Sequence, residues 1–125
     1  MTAIAQPKNL GDVLKYEAPN LYSRETDTVA AAQNLTLGTV MGRDTSTAKL
    51  KAFDPDATDG SEIAIGVLAC DVDATLIDRD DAILITRHAI VARGALVWPT
   101  GITSAQKAAA QAHLTFLGVL VRDSA

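Results

Sequence analysis

Short apolar runs alternate with clusters of turn-forming residues from residue 35 onward, and this spacing constrains the fold more than any other feature. Such runs predict several short strands, because helices need longer stretches with an amphipathic repeat. The runs at 35–41 and 49–52 flank the turn formers of 42–47 and predict a β-hairpin. Further strands are predicted at 63–69, 82–92, 96–98 and 119–121. With 125 residues, the chain is expected to form a single domain that is mainly β.

One segment, between residues 103 and 118, predicts a short α-helix. Thr103 and Gln106 match a capping box, and Gly118 stands where a helix favours a left-handed residue after its end. Leu114 projects to the side opposite the small side chains, as an exposed leucine or a contact to another chain. The small side chains share one face, which is expected to pack on a sheet: Ala105, Ala108, Ala109, Ala112 and, with them, Phe116.

Residues 1–34 show neither helical nor strand periodicity, and we interpret them as a flexible, extended N-terminal arm before a β-rich domain at 35–125. Both tyrosines of the chain, Tyr16 and Tyr22, lie in this stretch on either side of Pro19. Tyrosine is enriched at protein interfaces. The arm is therefore expected to bind a partner surface, and a floppy terminus without a partner is the alternative.

Charge and cysteine content narrow the classes of partner. Eleven basic residues against 15 acidic ones give a net charge of −4, which disfavours nucleic acid because that binding depends on Lys and Arg. The single Cys70 lies in the apolar run 67–70, so we expect a small buried side chain and no disulfide. No run approaches 18 apolar residues and the first residues lack the pattern of an export signal, so a soluble protein without a membrane partner is expected.

The motifs of catalysis and metal binding are incomplete. The acidic run at 54–62 fails the calcium-loop spacing, since Thr58 and Ile65 occupy ligand positions 5 and 12. His88 and His113 lack the neighbours of a zinc site, and no serine or glycine motif of hydrolases or phosphate loops is present. We therefore expect no cofactor and no metal. An assembly role is favoured over catalysis, although the alternative of a small enzyme or ligand-binding domain, with acids gathered at a subunit interface, stays open.

Several short motifs occur in a fixed order over residues 35–122. They are Leu-Gly-x-Val at 37–40, Ala-Phe-Asp at 52–54, Thr-Asp-Gly at 58–60, Gly-Val-Leu-Ala at 66–69, Arg-Gly-Ala at 93–95 and Leu-Val-Trp-Pro at 96–99, ahead of the capped helix. Each motif alone is common, but the ordered set resembles the head decoration proteins of tailed phages. The stretch 16–32 departs from this pattern, so contacts of the arm carry over least well.

The resemblance implies a compact β-clip-like α+β fold without enzymatic activity. It implies a homotrimer that binds the outer surface of the expanded capsid and braces neighbouring major capsid proteins against the pressure of packaged DNA. Before assembly, the protein is expected in the host cytoplasm. The arm residues expected to bind the capsid are Tyr16, Pro19, Tyr22 and Arg24. The residues expected at the trimer interface are Trp98, Pro99 and Leu114, with core packing as an equal alternative for Trp98.

Overall fold

The computed structural model describes residues 9–123, which form ten strands, two helices and two short 3₁₀ turns. The helices are α1 (Leu10–Val13) and α2 (Ser104–Leu117), and the 3₁₀ turns lie at Pro19–Leu21 and Arg93–Ala95. The strands are β1 (Leu14–Glu17), β2 (Arg24–Val29), β3 (Gln33–Leu35), β4 (Val40–Arg43), β5 (Leu50–Ala52), β6 (Gly66–Leu68), β7 (Val72–Ala74), β8 (Arg79–Ile85), β9 (Ala89–Ala92) and β10 (Val119–Arg122). The expected fold class, mainly β with one substantial helix, is confirmed.

Five strands close a barrel in the order β2-β5-β4-β6-β8, with β8 returning to β2. The pairs are antiparallel except for β2 and β5, which meet at Val29 and Leu50. Both of these side chains are fully buried in the barrel interior. At Gly66, an added Cβ would lie 2.6 Å from the carbonyl oxygen of Ile85, so the glycine permits β6 and β8 to approach closely. The predicted hairpin is present as the antiparallel pair of β4 and β5. Its first strand begins at Val40 and not at residue 35, because Leu35 belongs to β3 and the chain turns between the two strands.

A second layer packs beside the barrel. Strand β9 pairs antiparallel with β1 and parallel with β10, and α2 lies against β10. Their inner side chains, including Val91, Leu114 and Val119, belong to one buried cluster that also contains Val13 of α1. Strands β3 and β7 form a separate two-stranded ribbon.

The ends of α2 lie where its capping residues predict. Thr103 accepts a hydrogen bond from the Gln106 amide, the Gln106 side chain accepts one from the Thr103 amide, and Gly118 follows the helix with φ of 90°. The predicted orientation of the helix is wrong. Leu114 and Ala110 are fully buried, whereas Phe116 is 90% exposed. The helix turns its larger aliphatic side chain toward the core because a buried leucine gains more than a buried alanine, and the face formed by Ala105, Ala108, Ala109 and Ala112 is exposed.

The boundary expected at residue 34 does not separate an arm from the body over residues 9–34. Strand β2 pairs with β8 over most of its length, β1 pairs with β9, and β3 pairs with β7. Their periodicity is weak because each strand alternates only partly between core and solvent, as the mixed exposure along β2 shows. Residues 1–8 of the expected arm lie outside the described residues. The predicted mobility of residues 1–34 in solution stays a prediction.

The long strand predicted at 82–92 is two strands in different sheets. His88 adopts φ of 48°, and the chain turns there from β8 into β9. The segment predicted as a strand at 96–98 makes a single bridge, between Thr39 and Val97. Left-handed backbone at a histidine has no signature in the sequence, which is why the run appeared continuous.

Candidate functional site

Three exposed side chains lie on β1 and on the turn that leads from it to β2: Tyr16, Leu21 and Tyr22, which we call the aromatic corner. Tyr16 and Tyr22 are 54% and 52% exposed and Leu21 is 62% exposed. His88 joins them, because its ring lies 5.2 Å from that of Tyr22 and it lines the same shallow hollow as Tyr16. Exposed apolar groups clustered in this way are typical of surfaces that bind another protein.

Tyr22 is held in place by Arg87. The guanidinium carbon lies 5.3 Å from the centre of the tyrosine ring, and Arg87 Nη1 donates a 2.6 Å hydrogen bond to the Tyr22 carbonyl oxygen. Arg87 also pairs with Glu25 on β2. A cation over an exposed aromatic ring contributes about 0.5–1 kcal/mol. This contact therefore favours the observed position of the ring before any partner binds.

Ser23 anchors the loop that carries Tyr22. Its side chain is fully buried, accepts a 2.9 Å hydrogen bond from the Ala18 amide and donates a 3.0 Å hydrogen bond to the His88 carbonyl oxygen. The hydroxyl thus joins the ends of the 3₁₀ turn to the left-handed turn at His88. No feature of the sequence distinguished Ser23, Arg87 or His88 as parts of this site, because their roles depend on contacts more than 60 residues apart.

Arg24 and Pro19, two further residues predicted to bind the capsid, have internal roles. Arg24 makes two hydrogen bonds to the carboxylate of Glu17, of 2.8 and 2.6 Å, and so joins β2 to β1. These hydrogen bonds hold the pKa of Glu17 below its ordinary value. Pro19 begins the 3₁₀ turn and is exposed, followed by Asn20 and Leu21 with φ of 63° and 58°. The structure thus brings all four predicted arm residues into one region, with Arg24 as a support.

The hollow beside the corner has a volume of about 340 Å³. Tyr16 and Leu120 flank Ile90 in register across the outer face of β1, β9 and β10. Ala18 and Gly118 complete its rim. This lining is mainly apolar, so it suits an apolar side chain better than a charged group.

The residues predicted for a trimer interface have different positions. Trp98 packs against the core cluster and meets Phe53 edge-to-face, with ring centres 6.2 Å apart. Part of Trp98 stays exposed and lines a small hollow with Pro99, so the role of both residues in a trimer stays a prediction. The prediction that Leu114 lies at a trimer interface is wrong. Its side chain is fully buried in the subunit, so it has no surface with which to contact another chain.

Many acidic side chains of the described residues make local hydrogen bonds or ion pairs, and Asp59 is an example. Asp59 bonds Lys51 at 2.6 Å and the Ser61 hydroxyl at 2.6 Å, and both contacts hold its pKa far below the ordinary value. Over residues 9–123, His, Cys, Asp and Glu form no group of three that could hold a metal ion. Within the same residues, no helix is long and apolar enough to cross a membrane.

A small β-barrel domain with a preset aromatic surface is the kind of module that binds other proteins. The comparison with protein families is specific: the model for the bacteriophage lambda head decoration protein D matches residues 3–119. The chain belongs to this family of head decoration proteins. No curated protein sequence gives a significant match. Membership makes the chain a structural protein of the phage head that binds the capsid in the virion.

Proposed function

We propose that this protein binds the outer surface of the expanded phage head as a homotrimer and braces neighbouring major capsid proteins. Its role is structural, without catalysis, and it carries out no chemistry on the packaged DNA. Subunits are made in the host cytoplasm and join the head there. Membership of the decoration protein family supports the capsid as the partner.

The aromatic corner is the surface that we assign to the major capsid protein, and its preset geometry is the observation that carries this assignment. Binding usually costs entropy because interface side chains must be ordered. The Tyr22 ring already contacts Arg87 and His88, and Ser23 anchors its loop, so less of this cost remains when a partner binds. Aromatic anchors that enter a pocket on the partner contribute a large share of the affinity of an interface.

Bracing follows from the multiplicity of these contacts. A trimer presents three aromatic corners, and each can bind a different capsid subunit. Once one corner is bound, the others bind at a high effective concentration, so weak single contacts give strong attachment. Capsid subunits joined in this way resist separation when packaged DNA presses on the shell.

Cosedimentation with purified heads tests the binding surface. The variant Tyr16→Ala/Tyr22→Ala removes both anchors, and Leu76→Ala is the control because Leu76 is an equally apolar residue, 89% exposed, on the turn between β7 and β8. Wild type and Leu76→Ala should saturate expanded heads and not unexpanded ones. The double variant should need at least about 30-fold more protein, which corresponds to about 2 kcal/mol. Saturation of heads by the double variant at the wild-type concentration would refute the assignment.

The bracing role has its own test. DNA-filled heads are heated with and without added protein, and the temperature of DNA release is followed with a dye. Wild-type protein should raise this temperature, and the double variant should not at the same concentration. Protein that saturates the heads without raising the release temperature would show binding without bracing.

A further inference from the structure

An apolar groove runs between the exposed side of α2 and the segment 63–65. Its volume is about 480 Å³, and its walls include Ile63, Ile65, Ala112, Phe116 and Leu117. Ile63 is 49% exposed and Phe116 is 90% exposed. Among the five aromatic side chains of the protein, Phe116 exposes the largest fraction of its surface.

The groove is a built feature of the fold. His113, on α2, accepts a 3.2 Å hydrogen bond at Nδ1 from the amide of Ala64, which ties the helix to the opposite wall. Ala64 is buried beneath the groove. The position of the two walls is therefore fixed by a polar contact and by core packing.

The face of α2 beside the groove carries no charged side chain in the groove lining and mainly small side chains next to it. No Asp, Glu, Lys or Arg lines the groove. Beside it the helix exposes only small side chains along one stripe, at Ala105, Ala108, Ala109 and Ala112. Alanines at this spacing make a flat surface on which a second backbone can approach closely.

We infer that this surface, which we call the helix groove, joins copies of the chain, with Phe116 of one subunit packed against the groove of the next. The inference rests on the proposed homotrimer and names its interface. In a three-fold ring, equivalent residues of the three subunits approach one another around the axis, where like charges would repel. A charge-free face is therefore suited to a second copy.

The aromatic corner is less suited to this role. It carries Arg87 and Glu25 next to Tyr22, and its hollow shares no lining residue with the helix groove. Phe116 stands at the rim of the groove, next to its apolar walls. A contact in which Phe116 of one subunit enters the groove of the next is head-to-tail, and such contacts form a ring when the rotation between subunits closes.

Sedimentation of full-length protein at increasing concentration is the first test. Phe116→Asp places a charge in the proposed contact, and Leu76→Asp is the matched control because both residues are about nine-tenths exposed. Phe116→Asp should raise the concentration needed for half association by more than about tenfold, and Leu76→Asp should not. Association of Phe116→Asp equal to that of wild type would refute the helix groove and leave the proposed trimer intact.

Cross-linking on decorated heads tests the contact directly and does not depend on trimers of free protein. In a background of Cys70→Ala, subunits with Phe116→Cys are mixed with subunits carrying Ile63→Cys, so that a short bis-maleimide links the two variants only between chains. Cross-linked pairs are expected for this mixture and not for Phe116→Cys mixed with Leu76→Cys. Cross-linking through Pro99→Cys instead would move the interface to the Trp98 corner. Heads on which no pair of subunits cross-links, together with monomers in solution, would refute the trimer and with it this inference.

A third outcome separates the helix groove from the capsid contact. If Phe116→Asp forms wild-type trimers but fails to bind heads, the groove binds capsid protein and the inference is wrong. Urea unfolding of each variant shows whether it is folded. If Phe116→Asp does not fold, cross-linking of the Phe116→Cys and Ile63→Cys subunits tests the contact instead.

Discussion

Replacing Leu114 by alanine should destabilise the fold by about 3 kcal/mol, whereas replacing Phe116 should change its stability by less than about 0.5 kcal/mol. The two residues lie two positions apart on α2, with Leu114 fully buried and Phe116 90% exposed. Truncation of leucine removes about three carbons from the core, worth about 0.8 kcal/mol each, and the remaining cavity adds to the cost. The expected loss is a substantial part of the roughly 6–19 kcal/mol that keeps a domain of this size folded.

Urea unfolding, followed by tryptophan fluorescence and circular dichroism, measures the difference. With a slope of about 1–3 kcal/mol per molar urea, Leu114→Ala should lower the midpoint by roughly 1–3 M. The protein is kept dilute so that association does not contribute. Unchanged stability of Leu114→Ala combined with a large loss for Phe116→Ala would show that α2 packs on its alanine face, and it would remove the basis of the helix groove.

The remaining predictions concern the N-terminal strands, acid and the anchoring serine. Amide hydrogens of β2 should exchange as slowly as those of β8, with which it pairs; exchange as fast as in exposed loops would restore the flexible arm. Deleting residues 1–34 removes one of five barrel strands and should prevent folding, so a folded 35–125 fragment by circular dichroism would contradict the barrel. The pKa values of Glu17, Asp59 and Asp78 are lowered in the fold by Arg24, Lys51 and Lys49, so their contribution is complete above their unfolded pKa values near 4 and is lost as the pH falls through the folded values. The urea midpoint should therefore fall with acidification below about pH 4, and a midpoint that rises would oppose this sign. Ser23→Ala leaves the Ala18 amide and the His88 carbonyl unpaired and should cost about 1–3 kcal/mol in thermal unfolding; an unchanged melting temperature would show that the anchor is dispensable.

Local chemistry made part of this fold predictable from the sequence. The ends of α2 follow from Thr103, Gln106 and Gly118, whose effects reach only a few residues. The hairpin of β4 and β5 follows from the turn formers between its strands. The order of motifs identified the family that the matching family model confirms. In each case the information lies close to the element that it defines.

Long-range packing made the rest unpredictable. Periodicity shows that α2 has a stripe of alanines, but the choice between burying that stripe or Leu114 depends on what the sheet presents. Strand β2 appeared irregular because its register comes from β8, about 55 residues later. Only part of the candidate site could be predicted from the sequence. The two tyrosines were predicted, but Ser23, Arg87 and His88 act through contacts that no local pattern reveals.

The barrel has a consequence for how the chain is made. Strand β2 ends at Val29, and its main partner begins at Arg79, so about 50 residues must be synthesised before the pair can form. At about 5–20 residues per second, the ribosome needs roughly 3–10 seconds for this interval. During that time the early strand has unpaired backbone groups and an apolar valine in contact with water. Slower translation between β2 and β8 lengthens this exposure and should therefore increase aggregation.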